Sequence, residues 1–507
     1  MVGGGPLATV ARLRAQGPAL WLIPLGVAIT VLVLPSGSIA KLIGASLALL
    51  LFVFMLNRPG VALIALVIFL PLETLGLGLL LGVHVPAAAL RSAGGLKELL
   101  ALSILVAGLR QLRDTKRRLD RLDIAVLAYV AVVTAYLIVP HIFSSIAPSS
   151  WSPRILAWRS DAGYPLIFFG ARHAPITARV KDRLMQVIMV LGGLVGLLGL
   201  YQRLAPQSWS NFVLNIAHVG TYDFKVLGLA PSNIVANLPY ILIINPLRVS
   251  STFLSPFDMA DYLIVVIAVA AVRITSNRRS LFNYVVLVAA MGSLFFSTVR
   301  ADAWAALIIL VLVVLPSPRT TREGRMRLIG MLLLAAVLIV PSLGGTRFVG
   351  GQQADASTSQ HINDFQNAIG VAERYPLGLG LGSLPAYGTR FGETGFNRYN
   401  EDITQNLMTQ VSYELGLQAL LPWLIMMVLV LLALRRRARG GDTFAAAMGF
   451  GLLGVVIGGL GHHVFLAYPV PWTLWGGVGL ALSVSHPDTE GEDLKGSASH
   501  PVSTGAR

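Results

Sequence analysis

Apolar residues run for about twenty positions at a time, and they do so repeatedly along the 507 residues. A run of that length is what a helix needs to cross a hydrocarbon core of about 30 Å. Inside lipid every backbone N–H and C=O must be satisfied within the protein, so only helices and closed barrels can span it. A barrel would show alternating strands of roughly ten residues, which this pattern excludes. Charged residues make up only 12%, against about 25% in soluble domains. A globular surface cannot be covered with so few, and disorder needs low hydrophobicity and high charge. The expected fold class is therefore an all-α polytopic membrane protein. The chain has no cysteine, which removes disulfides, thiolate metal sites and Cys nucleophiles from consideration.

Apolar segments fall at about 19–35, 39–56, 60–82, 95–109, 122–143, 162–173, 184–204, 257–272, 280–297, 301–315, 327–343, 406–434, 443–465 and 471–485. They predict 12–14 transmembrane helices with a large, partly helical periplasmic loop. The stretch from Ala19 to Leu34 reads as an uncleaved first helix, because another apolar segment follows it directly. The predicted organisation is helices 1–11 within 1–343, with outer loops at 144–161 and 205–256. A large outer loop follows at 344–405, then helices 12–14 within 406–485 and a disordered cytoplasmic tail at 486–507. No internal repeat is evident.

Charge sets the orientation. The formal net charge is +15, and most of the 39 Lys and Arg residues lie in short connections. With the N-terminus inside, Arg58, the run Arg110–Arg121, Arg172–Arg183, Arg273–Arg279, Arg319–Arg327 and Arg435–Arg439 all fall on the cytoplasmic side. That is the usual Lys/Arg bias of cytoplasmic loops, so the basic excess signals topology and not nucleic acid. The long connections all fall on the other side. Connections of that length are uncommon unless functional or disordered, and these are rich in Trp, Tyr, Arg and Gly-Pro punctuation. The working face is thus expected to be extracytoplasmic. Residues 361–375 carry apolar positions Ile362, Phe365, Ile369 and Ala372 at helical spacing and predict an amphipathic helix at the outer interface.

Three outer segments concentrate polar residues next to apolar helices. They are Arg248–Tyr262 (RVSSTFLSPFDMADY), Ser297–Trp304 (STVRADAW), and the 361–417 region with Pro376-Leu-Gly-Leu-Gly-Leu-Gly382 and Asn406…Glu414-Leu-Gly416. In order and spacing these resemble the O-antigen ligase and O-antigen polymerase superfamily of bacterial membrane glycosyltransferases. Arg248, Thr252-Phe253, Pro256 and Ala260 look like the family's segment before a core helix. Thr298, Arg300 and Ala301 look like its Ser-Arg-X-Ala turn. The glycine run looks like its Pro-Leu-Gly-X-Gly-X-Gly motif, and Asn406, Glu414 and Gly416 like its His-Asn…Glu-X-Gly segment. Gln405 stands where the family has His, and His361 is the nearest match to a family Arg. These departures point to a divergent polymerase or a changed acceptor.

The resemblance implies an enzyme of the bacterial inner membrane, independent of metal and cofactor. Its donor would be an undecaprenyl-pyrophosphate-linked glycan and its acceptor a saccharide or lipid A-core, with membrane lipids as surroundings and no nucleic acid. Arg300 and Arg248 are the expected pyrophosphate clamp, since guanidinium forks bind phosphate oxygens in pairs and stay charged at an interface. His361 and Glu414 complete the expected catalytic set; Arg374, Gln405, Asn406, Glu401 and Asp402 are expected to bind substrate. For a general base, His361, Glu401, Asp402 and the pair His462-His463 are the candidates. Structural readings compete with each. Arg300 could snorkel or pair with Asp302, Arg248 could pair with Asp258 or Asp261, and the glycine run could serve a tight turn. No Asp-X-Asp pair or Walker loop occurs, which argues against nucleotide-sugar and ATP sites. The rival classes are a lipid-linked oligosaccharide flippase and a non-enzymatic cell-envelope assembly protein.

Overall fold

The computed structural model describes residues 39–140, 149–225, 248–253, 255–276, 280–315, 320–343, 363, 366, 369–370, 372–384, 406–462, 464 and 469–483. The first predicted span, the C-terminal tail and most of the 344–405 connection lie outside the described residues. Those described are helical or connecting, with no strand among them.

The helices are α1 (Ile39–Leu56), α2 (Pro59–Gly82), α3 (Ala87–Gly94), α4 (Leu96–Asp114), α5 (Arg121–Ile138), α6 (Trp151–His173) and α7 (Ala178–Leu204). Short pieces follow at α8 (Pro206–Asn211) and α9 (Val219–Lys225), with a π-helical turn at Phe212–Ile216 between them. Then come α10 (Pro256–Thr275), α11 (Leu281–Ser297), α12 (Arg300–Val314), α13 (Arg322–Leu343), α14 (Leu407–Leu415), α15 (Leu417–Arg439), α16 (Thr443–Gly458) and α17 (Pro469–Ala481). Five stretches are long and apolar enough to cross a membrane: Pro59–Gly82, Ala87–Asp114, Arg121–Ile138, Ala178–Leu204 and Leu417–Arg439. This is a helical membrane protein.

Every predicted apolar segment from 39 onward overlaps a helix among the described residues, and three details differ from expectation. The segment predicted as an outer loop followed by a short span at 162–173 is one 23-residue helix, α6. Arg154, Ser160 and Asp161 interrupt its hydropathy, yet all three are buried. The connection predicted at 205–256 is helical over much of 206–225. The single span predicted from 406 is broken at Gly416 into α14 and α15. The helix predicted within 361–375 is present at its described residues.

Helix α10 is the hub. Nearly every residue of it is buried, and it packs on α7, α11, α12, α13, α16 and α17. At 13 residues, α17 rises only about 20 Å. It is short for a membrane core but is buried on every side by α6, α16 and α2. The outer helices turn apolar side chains outward. Leu50, Val190, Val288, Leu421 and Val428 are all more than half exposed, as a lipid-facing belt requires.

The basic connections meet at one end. Arg172, at the C-terminal end of α6, pairs with Asp120 and Asp123 at the start of α5 and reaches the carbonyl of Leu482. Arg437 donates to the carbonyls of Ala481 (2.9 Å) and Ser483 (2.6 Å), and Lys181 lies 3.8 Å from Asp442. Cations on the last carbonyls of a helix are favourably placed against its dipole. Asp120 also caps α5, accepting from the amides of Leu122 and Asp123, both at 3.0 Å.

Candidate functional site

The opposite end of the bundle carries two polar clusters, and each is built from segments that the sequence singles out. The first gathers Arg248, Arg300 and the head of α10. Residues 248–253 form a tight cap over α7 and α11. The amides of Ser250 and Ser251 both donate to Oε1 of Gln202, at 3.0 and 2.8 Å, and Ser251 Oγ donates to the carbonyl of Val195. Arg248 Nε donates to the carbonyl of Ser297 at 3.0 Å, and its guanidinium stacks 5.2 Å from the Phe257 ring centre. Thr298 takes a left-handed conformation, with φ of 58°, and turns α11 directly into α12.

Arg300 is the first residue of α12 and is half-buried. Its side chain makes no hydrogen bond or ion pair with another described residue. Arg248 is bonded to Ser297, and three residues of chain span at most about 11 Å. The two arginines therefore share one corner of the bundle. The alternative pairing of Arg300 with Asp302 does not form: Asp302 points into the bundle, fully buried, with Oδ2 3.7 Å from Nε2 of His462. Asp261, one of the two candidate partners of Arg248, accepts from the same nitrogen at 3.1 Å. The His462 ring packs against Phe257 with centres 5.1 Å apart.

The second cluster joins the glycine run to the break between α14 and α15. The amides of Leu379 and Gly380 donate to the carbonyls of Tyr413 and Glu414, and the amide of Leu417 donates to the carbonyl of Pro376. Gly416 sits at φ 68°, ψ −170°, a region that is essentially glycine's alone. Gly378 has φ of 78° and a Cβ there would lie 2.6 Å from Gly416 N. Two backbones meet with no room for a side chain between them. Glu414 is fully buried and accepts from the amide of Gly382 at 2.8 Å and more weakly from Leu384 at 3.5 Å. Its other oxygen, Oε2, has no hydrogen-bond partner among the described residues. The amides of Gly378, Gly380 and Gly382 are thus taken, by the carbonyls of Tyr375 and Glu414 and by the Glu414 carboxylate in turn, and are not free to hold phosphate. Gln410, one turn before Glu414, donates to buried Asp161 at 3.3 Å.

Asn406 is buried and caps α14, its Oδ1 accepting from the amide of Thr409 at 2.9 Å. Arg374 is exposed and lies in helix with Ala372 and Glu373 before it. His361, Glu401, Asp402, Gln405 and His463 lie outside the described residues. The structure thus brings Arg248 to Arg300, and Glu414 to the glycine run. None of the bonds that hold Glu414 is to Arg300. The convergence of His462 with Asp261 and Asp302, and the roles of Gln202, Asp161 and Gln410, were not foreseen from sequence. The His462-His463 pair was the visible signal for the first of these.

Beside α14 lies an apolar cavity of about 370 Å³, lined by Ile369, Ala372, Met408, Leu417 and Leu420 with Glu373, Thr409 and Ser412. Leu417 and Ile369 are about half exposed, so the cavity adjoins the lipid-facing surface. Comparison of the sequence with models of known families finds no match, and comparison with curated proteins finds none either.

Proposed function

We propose that the chain is an inner-membrane glycosyltransferase that polymerises or transfers an undecaprenyl-pyrophosphate-linked glycan to a saccharide acceptor. In this reading the basic end faces the cytoplasm and the Arg248–Arg300 corner faces the periplasm. The observation that carries it is Arg300. A half-buried arginine with no partner among the described residues, beside a second arginine at a helix junction, is costly in a membrane protein unless it serves a ligand. A pyrophosphate leaving group is such a ligand. As the acceptor hydroxyl attacks the anomeric carbon, charge grows on the departing phosphate oxygens, and fixed guanidinium donors offset it. The apolar cavity that Ile369 and Ala372 form with α14 suits part of a polyprenyl tail.

A flippase for a lipid-linked oligosaccharide is the second reading. Buried acids with unpartnered oxygens, Asp302 and Glu414, favour it, since such groups mark ion pathways in transporters. Deletion in the source organism, followed by gel analysis of surface polysaccharide, separates the readings. Loss of long chains with one repeat unit retained means polymerase. Carrier-linked long chains that never reach the lipid acceptor mean ligase. Accumulation of cytoplasmic-face intermediates means flippase, and unchanged polysaccharide overturns both readings. Reporter fusions at Gly351 and Gly440 are expected on opposite faces; the same face for both defeats the orientation.

A further inference from the structure

Three side chains from separate elements converge below the arginine corner. Asp261 comes from α10, Asp302 from α12, and His462 from the connection after α16. Their exposures are 1%, 0% and 6%, and their nearest ligand atoms all lie within 4.8 Å of one another. From this geometry we propose a binding site for a divalent transition-metal ion of the zinc or manganese class, held by Asp261, Asp302 and His462.

The charge pattern favours a cation there, since without one each carboxyl can be neutral only by holding a proton. Two carboxylates share one imidazole nitrogen inside an apolar bundle. Oδ1 of Asp261, both oxygens of Asp302 and Nδ1 of His462 have no hydrogen-bond partner among the described residues. A buried carboxylate without a partner is strongly disfavoured. A protonated histidine cancels one negative charge and leaves the other. A divalent ion with a neutral imidazole cancels both and occupies the unpartnered oxygens at once.

Distance fits the same ion. Metal–ligand bonds of about 2.0–2.1 Å give a tetrahedral edge of roughly 3.4 Å. Nε2 of His462 stands 3.1 Å from one carboxylate and 3.7 Å from the other, on either side of that edge. The widest separation in the trio, up to 4.8 Å, closes by up to about 1.4 Å to reach that edge, within side-chain rotation. Imidazole with carboxylate selects zinc or manganese over magnesium or calcium, which prefer oxygen alone. The surroundings are shaped to this purpose. A Cβ at Gly458 would lie 2.2 Å from Asp302 Oδ1, so only glycine lets α16 approach the carboxylate. The Phe257 ring holds the imidazole plane.

Bound metal would tie α10, α12 and the connection after α16 at one level, two residues below Arg300. The site departs from the metal independence that the family resemblance implies, and it stands whether or not the chain handles glycan. The test uses full-length, tag-free protein in detergent. Elemental analysis of protein purified without chelator should give close to one zinc or manganese per chain. Chelator-stripped protein should melt lower and recover on addition of zinc or manganese chloride. Asp302→Asn and His462→Gln should weaken binding by more than about 100-fold, beyond what loss of an outer-shell partner does. Should a variant fail to fold, X-ray absorption on the wild type decides alone: a first shell of nitrogen and oxygen near 2.0–2.2 Å supports the site. Trace metal with no melting shift overturns it. So does equal binding by wild type and both variants, which would mark an adventitious ion.

Discussion

The two ends of the bundle use charge in opposite ways. At the basic end, Arg172 is 7% exposed and is closed off by two aspartates and a helix-terminal carbonyl, and Arg437 is spent on the last carbonyls of α17. At the other end, Arg300 meets no described partner, Asp302 is buried with neither oxygen hydrogen-bonded to a described residue, and Glu414 keeps one oxygen in hand. A charge matched by protein groups holds helices in place. A charge left unmatched at the rim or interior of a bundle raises the energy of the empty protein and lowers it when a ligand arrives. The contrast separates scaffold from site without reference to any relative.

The comparison breaks most visibly at Arg172. Removing one partner of a buried ion pair leaves the other uncompensated, which costs about 3–5 kcal/mol. Arg172→Ala is expected to reduce folded protein in the membrane severely, as read by fluorescence-detected size exclusion, because Asp123 is 2% exposed and loses its guanidinium. Arg300→Ala is expected to do the reverse: near-normal protein level, with glycan transfer reduced about 10²–10³-fold, the loss seen for one electrostatic donor. Arg300→Lys keeps the charge but not the planar fork and should lose most of the same activity. Arg91→Ala, on exposed α3, is the control and should stay active. Normal chain length and yield with Arg300→Ala at normal expression would return Arg300 to a snorkelling role.

Glu414 tests the boundary between the two uses. Its bonds to the glycine run are structural, while its other oxygen has no hydrogen-bond partner among the described residues. Glu414→Ala orphans buried amides and should cost about 1–3 kcal/mol, seen as a lower melting temperature. Glu414→Gln keeps one acceptor for Gly382. If the residue only braces the glycine run, the Gln variant should recover activity as it recovers stability. Stability without activity would assign the free oxygen to substrate.

Much of this was legible in the sequence. Apolar runs place the helices because lipid tolerates no unsatisfied backbone, and alternating basic connections place Arg172, Lys181 and Arg437 at one end. The family-like motifs did locate residues that touch: the Pro-Leu-Gly run packs on Glu414-Leu-Gly416, and Arg248 bonds the last residue of α11, three positions before Arg300. Three things were hidden for physical reasons. Hydropathy cannot see that Arg154, Arg159 and Asp161 lie inside α6, because it scores a paired buried charge as if it were solvated; Arg159 bonds Glu98 at 2.8 Å, and Arg154 donates to the carbonyl of Leu137. A single glycine within an apolar run gave no sign that Gly416 breaks the helix. The metal-like trio joins residues 261, 302 and 462, and no spacing rule links positions so far apart.

The smallest expected effect lies back at the basic end, on Asp120. It is half exposed, with a relative side-chain exposure of 51%, so its pairing with Arg172 is partly screened by water. Burial alone would raise the pKa of its carboxyl, but hydrogen bonding and charge from Arg172 and the amides of Asp123 and Leu122 more than offset this and hold it well below its ordinary 3.8. A carboxyl lowered by folding stabilises the protein above its unfolded pKa, and that contribution is lost as pH falls toward the folded one. Asp120→Asn keeps a side-chain oxygen for the cap, since Asn caps helices about as well as Asp, and loses only the charge. The variant should therefore be about 1 kcal/mol or less below wild type at neutral pH, the range of an exposed pair. The gap in melting temperature should narrow as pH drops below about 3.8. Equal melting temperatures for variant and wild type from neutral pH down to strong acid would mean that Asp120 acts through its cap alone, and that Asp123 carries the pairing with Arg172 at this end of the bundle.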